Sequence, residues 1–125
     1  MTRSLKFALI ALAATAAPSV ALAQSQTSMN EAAAADARRA DQALNAQYAA
    51  TMNGLSSGPR TLLRNAQRAW IPFRDRQCDF ESSAVRGGSA YPMVRARCIA
   101  RMTEERTREL RRLGQCQEGD LACPR

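Results

Sequence analysis

Leu63-Arg64-Asn65-Ala66-Gln67-Arg68-Ala69-Trp70-Ile71-Pro72-Phe73-Arg74-Asp75-Arg76-Gln77-Cys78 is the stretch whose reading decides the fold. In it and just beyond, Leu63, Ala66, Trp70, Phe73, Gln77 and Phe80 recur at alternating steps of three and four, the period of a helix and not of a strand. The spacing predicts a helix over residues 60–83 with that stripe turned to a core. Pro72 lies inside it, where the missing N–H predicts a bend.

Upstream, Gly54-Leu55-Ser56-Ser57-Gly58-Pro59 stops one helix and places Pro59 in the first turn of the next. A first helix is expected over residues 29–53. It has an alanine-rich start, Ser28 and Glu31 at capping-box spacing, and a core stripe of Ala37, Ala40 or Asp41, Leu44, Tyr48, Met52 and Leu55. Downstream, Gly87-Gly88 breaks the pattern and Ser89 is placed to cap a third helix over residues 90–113. That helix has Pro92 in its first turn and Gly114 as its stop, and it should bury Tyr91, Val94, Cys98, Met102, part of Arg106, Leu110 and Leu113. The expected fold is all-α: a small antiparallel three-helix bundle over residues 31–114, followed by a cysteine-containing tail over residues 115–125.

Residues 1–23 read as a secretory signal, with Arg3 and Lys6 before the apolar run, then Pro18 and a small-x-small cleavage site at Ala21-Leu22-Ala23. Residues 24–30 are polar and uncharged, and are expected to be a flexible lead-in. Of the 125 residues, 102 would remain after cleavage, with 16 Arg, no Lys and 11 carboxylates, a net charge of +5. No stretch approaches the roughly 20 apolar residues of a transmembrane helix, and no cysteine near the cleavage site could carry a lipid, so no membrane anchor is expected. The absence of His excludes a Ser-His-Asp triad and His-ligated zinc. A periplasmic or secreted protein without a cofactor is the expectation.

Four cysteines in an exported chain point to disulfides. Cys78, near the end of the second helix, and Cys98, two turns into the third, fall opposite each other in a hairpin turning at Gly87-Gly88; Cys116 and Cys123 then close a loop in the tail. A metal site is disfavoured, because structural zinc draws cysteines in pairs two to four residues apart and the spacings here are 20, 18 and 7.

The opening stretch, followed by Gly87-Gly88-Ser89, Cys98 and Thr103-Glu104-Glu105-Arg106-Thr107-Arg108-Glu109-Leu110, resembles the LprI-like family of small exported domains, named for a lysozyme inhibitor. The resemblance runs from about residue 40 to 113. It implies a helical fold, a Cys78–Cys98 link, an extracytoplasmic location and a non-catalytic binding role, with lysozyme as the possible protein partner.

Gln67, Trp70, Arg74 and Asp75 on the second helix, with Thr103 and Arg106 on the third, are expected to form a structural polar cluster in which Arg74 or Arg106 pairs with Asp75. Asp75 and Asp79 share a helical face but lack the cleft glycosidase chemistry needs, and Ser89 lacks a base, so no enzyme is expected. Arginines interleaved with Glu104, Glu105 and Glu109 describe a paired, solvated face and not a nucleic-acid surface. Two readings follow. In the first, a lysozyme inhibitor presents Arg86, Gly87, Gly88, Ser89 and Tyr91 to its target. It must rely on shape, or on an acidic patch of Asp75, Asp79 and Glu81, because a +5 chain repels a basic lysozyme. In the second, an envelope protein binds an anionic polymer or another protein through arginines such as Arg111 and Arg112.

Overall fold

The computed structural model describes residues 17–117 and 119–125, with side chains from residue 25 onward. Three helices follow one another: α1 (Ala17–Asn53), α2 (Ser57–Glu81) and α3 (Tyr91–Gly114), with a single 3₁₀ turn, Ser83–Val85, between the last two. No strand occurs among the described residues. The chain folds as the expected all-α bundle, with α2 antiparallel to its two neighbours.

α1 and α3 therefore run parallel, and their pairing supplies most of the core. Asn30 Nδ2 donates to the Ser89 carbonyl at 3.0 Å near one end. Thr51 Oγ1 donates to the Leu110 carbonyl at 3.1 Å near the other. Along this pairing Ala33, Ala40, Leu44 and Thr51 on α1 are buried, with Leu55 just beyond its end, as are Ile99, Ala100, Thr103, Thr107 and Leu110 on α3. Small side chains bring the backbones close: a Cβ added to Gly114 would lie 3.3 Å from Thr51 Oγ1. The stripes read from the sequence contain Ala40, Leu44, Leu55, Cys98 and Leu110, but they omit Thr51, Thr103 and Thr107. These threonines are buried because their hydroxyls are satisfied locally. Thr107 Oγ1 donates to the Thr103 carbonyl at 2.9 Å, and Thr51 also accepts from Gln47 Nε2 at 3.2 Å.

Three expectations need correction. Residues 24–30 are helical, because nothing between Pro18 and Gly54 breaks α1, and Gln26 Nε2 bonds Asn30 Oδ1 one turn on at 3.0 Å. Ser28 consequently lies inside the helix and not at its cap; residues 1–16 of the expected leader lie outside the described residues. Ser89 does not cap α3: Ala90 holds the cap position without a side-chain bond, and Ser89 is instead anchored to α1 through its carbonyl. The helix predicted across Pro72 does form, with the proline on its exposed side. Finally, Phe73 and Phe80 do not face the core: they are 55% and 72% exposed, and Ala66 is exposed with them. The buried or half-buried face of α2 is Leu63, Gln67, Trp70, Arg74 and Cys78, about a quarter-turn away from the apolar stripe. The bundle accepts this rotation because Cys78 is covalently tied and Arg74 and Gln67 find partners inside.

Both disulfides form as expected. Cys78 and Cys98 join α2 to α3 with Cα atoms 5.5 Å apart, and Cys116–Cys123 closes the tail. Cys78, Cys98 and Ile99 pack as one buried cluster with Ala37 and Met102 against it. Beyond Gly114 the chain turns back. Ser56 Oγ donates to the Arg125 carbonyl at 2.6 Å, laying the tail across the α1–α2 connection.

Candidate functional site

The six residues of the expected polar cluster do come together, on the seam where α2 meets α3. Gln67, Trp70 and Arg74 are spaced by three and four, so one face of α2 carries all three, and Thr103 and Arg106 stand one turn apart on α3. Arg74 is the hub: its Nη1 donates to Asp41 Oδ1 of α1 at 2.8 Å and to Thr103 Oγ1 at 3.1 Å, and its Nη2 reaches Asp75 Oδ1 at 2.9 Å. Arg106 donates to Gln67 Oε1 at 3.1 Å and to Glu109 Oε2 at 2.7 Å. Both guanidinium groups lie over the Trp70 ring, Arg74 Cζ 5.4 Å and Arg106 Cζ 5.9 Å from its centroid. Each arginine side chain is only 11% exposed.

Sequence reasoning missed Asp41 and Glu109 as members. Asp41 could have been found, since it borders Ala40 on the inner stripe of α1; Glu109 sits three residues after Arg106, an ordinary helical pairing distance. Chemically the cluster is occupied. Both arginines have carboxylate partners and the ring has two cations over it, so the arrangement ties three helices together. No group of three or more His, Cys, Asp or Glu residues is placed to hold a metal among the described residues.

The second place is the turn into α3. Ser82, fully buried, closes α2 by donating its hydroxyl to the Cys78 carbonyl at 2.6 Å. Gly87 then takes φ +81°, a conformation L side chains rarely adopt, and a Cβ on Gly88 would press on the Val85 carbonyl at 3.2 Å. The Tyr91 N–H returns to the Gly88 carbonyl at 3.1 Å. Arg86, Gly87, Gly88 and Ser89 are exposed, Tyr91 is half-buried, and Arg86 Cζ stacks 5.8 Å from the Tyr91 ring. Beside Tyr91, an open hollow of about 380 Å³ is floored by Ala34, Ala37, Pro92, Ala96 and Ile99, with Arg95 on its wall.

The acidic residues near this turn are not a free patch. Asp75 is held by Arg74, Asp79 accepts from Arg95 Nε at 2.6 Å, and Glu81 pairs with Arg101 at 2.8 Å. The Arg95 bond, reinforced by the charges of Arg95 and Arg86 and by the Tyr91 hydroxyl, holds the Asp79 carboxyl below the usual range. Glu81 is lowered first by the Gln77 amide and then by Arg101. Carboxyls lowered by folding contribute stability that is fully present above their unfolded values, near pH 4, and is lost as pH falls through the lower folded values. The thermal midpoint should therefore be flat between about pH 8 and 5 and drop below about pH 4, with Asp79→Asn softening the drop. Both carboxylates are partly open to solvent, so salt should shrink the effect; an acid limb that is the same in Asp79→Asn would contradict it.

Comparison with known proteins places this architecture. The profile of a family described as "Lysozyme inhibitor LprI" matches residues 18–110, which takes in α1, α2 and most of α3 and leaves the tail outside. An uncharacterised protein of Rhizobium meliloti (strain 1021) is 35% identical over 114 residues, covering 81% of this chain and 82% of its own. No solved structure matches significantly.

Proposed function

The chain belongs to the LprI lysozyme inhibitor family, and from that premise we propose that it is an exported, non-catalytic protein that binds a lysozyme through the turn at residues 86–91. The observation that carries this reading is the family match spanning all three helices, including both helices that flank the turn. The geometry of the turn is compatible with it. Arg86 lies over the half-buried Tyr91 ring on a glycine turn anchored on both sides, so little conformational freedom is lost on docking. The adjoining apolar hollow offers a concave partner surface next to an aromatic side chain, a combination that suits a contact centre.

Electrostatics favours contact by shape. Asp75, Asp79 and Glu81 already have arginine partners, and the chain without residues 1–23 carries +5, so a basic lysozyme is repelled at long range. Inhibition should accordingly strengthen, not weaken, as salt screens the repulsion. In a cell-wall turbidity assay, a micromolar excess of the purified protein is expected to suppress lysozyme, and Tyr91→Ala to weaken inhibition by about tenfold or more, as loss of a central aromatic anchor does. Full lysozyme activity at that excess would remove the reading.

A second reading keeps one observation in its favour. Arg108, Arg111 and Arg112 share a face of the last turns of α3, are exposed, and have no carboxylate partner among the described residues. An anionic envelope polymer would fit that face. Retention on such a polymer that falls with salt and with charge reversal at Arg111 and Arg112 would mark this second role.

A further inference from the structure

At the end of the bundle away from the turn into α3, the three helices and the tail close around an apolar cavity of about 420 Å³. The α1–α2 connection supplies Leu55, α2 supplies Leu62, Leu63 and Ala66, and α3 supplies Leu110 and Leu113. A volume of this size lies within the range of about 300–1,000 Å³ that small-molecule pockets occupy. The lining is aliphatic, with no aromatic ring among the described residues. Its one hydroxyl, Thr51 Oγ1, is already engaged, donating to the Leu110 carbonyl at 3.1 Å and accepting from Gln47 Nε2 at 3.2 Å. Such a wall offers no hydrogen bond to water, to a sugar or to a peptide backbone, whereas dry apolar cavities do take up hydrocarbon.

We infer that this cavity receives the aliphatic chain of a fatty acid and that the tail is its lid. An unbranched hydrocarbon is the occupant the wall selects, because any polar group carried inside would go unpaired. An anionic head suits the surroundings of the mouth. The wall segments 55–66 and 110–113 contain Arg60, Arg64, Arg111 and Arg112 and no carboxylate. Arg60, next to Pro59 of the wall, is held by the Met52 and Asn53 carbonyls at 2.9 and 3.4 Å. In the tail, the Asp120 carboxylate accepts the Ala122 N–H of its own loop at 2.9 Å. Pro124 completes the wall from the tail, a segment beyond the residues 18–110 that match the family. The Cys116–Cys123 disulfide closes the tail on itself, and Ser56 Oγ latches it by donating to the Arg125 carbonyl in an exposed bond of 2.6 Å. A self-contained loop on such a latch can swing off the mouth while the helices stay packed.

The cavity and the turn at residues 86–91 lie at opposite ends of α2, so the test needs no lysozyme and stands apart from the inhibitor reading. cis-Parinaric acid, an unbranched fluorescent fatty acid, is titrated below its micelle concentration into the purified, disulfide-bonded chain. Its fluorescence is expected to rise and saturate at one probe per chain. Ala66→Trp, which fills the cavity from an exposed position of α2, should abolish the rise while circular dichroism stays helical. Phe73→Ser and Phe80→Ser, at exposed positions outside the wall, should leave it unchanged. Ser56→Ala should speed uptake in stopped flow by freeing the tail, since the Ser56 side chain makes no capping bond to α2. The methyl ester of the probe should bind more weakly than the acid. No rise with the unaltered chain overturns the site. A rise that survives Ala66→Trp but falls with Phe73→Ser shows adhesion to the outer face of α2 and overturns it too. Equal uptake rates with and without the Ser56 hydroxyl overturn the lid, and equal affinity for acid and ester overturns the preference for an anionic head.

Discussion

Replacing Cys78 and Cys98 together by alanine is expected to lower the thermal midpoint by roughly 12–24 °C. Closing a loop of about 20 residues removes about 3 kcal/mol of unfolded-chain freedom, and each kcal/mol moves the midpoint of a domain this size by about 4–8 °C. Alanine is the informative substitution, because Cys78 is fully buried and a serine hydroxyl there would need a hydrogen-bond partner. The effect is large because the link does what packing does not. The outer side of α2 is exposed, its inner side sets Gln67 and Arg74 among Leu63, Trp70 and Cys78, and the disulfide holds it where the turn into α3 begins. Removing Cys116 and Cys123 in the same way should cost about 1 kcal/mol or less, since the tail can open without exposing the α1–α3 seam. Differential scanning calorimetry of the two double variants checks the contrast; equal shifts would refute it.

Arg74→Ala should rank next, at about 2–3 kcal/mol in urea unfolding. Truncating one partner of a buried ion pair typically costs about 3–5 kcal/mol because the other charge is left uncompensated. Here Asp41 and Asp75 are 47% and 41% exposed and can be rehydrated, which lowers the figure. Loss of the cation over Trp70 and of the bond to Thr103 Oγ1, a fully buried residue, adds to it. Arg74→Lys is expected to recover less than half, because an ammonium cannot direct separate donors at Asp41, Asp75 and Thr103 while lying flat near the indole. A double-mutant cycle of Arg74→Ala with Asp41→Ala should show coupling of about 1 kcal/mol. Strict additivity would mean that the α1–α2 contact contributes nothing.

Much of this was legible in the residues. Helix number, the breaks at Gly54 and Gly87, and the capacity of Pro59 and Pro92 to sit in first turns follow from local backbone preferences, which act the same way wherever the helix packs. The cluster of Gln67, Trp70, Arg74, Asp75, Thr103 and Arg106 was readable because polar groups on an inward face must find each other. The turn at residues 86–91 was readable as a turn, although its anchor on Asn30 was not, since 59 residues separate donor and acceptor.

The rotation of α2 was the main surprise. Half of its apolar stripe, Ala66, Phe73 and Phe80, turned outward, while Leu63 and Trp70 stayed in beside Arg74 and Gln67. By itself, then, the sequence determined the three rods, their breaks and the preference of Cys78 for Cys98, because these depend on spacing along one chain. Only the tertiary structure decided that α1 and α3 lie parallel as the core, which side of α2 they accept, and that Asp41 completes the arginine hub. Those outcomes depend on how closely two backbones approach through alanine, threonine and Gly114, and on which polar groups then find partners, and neither quantity is a property of any single helix.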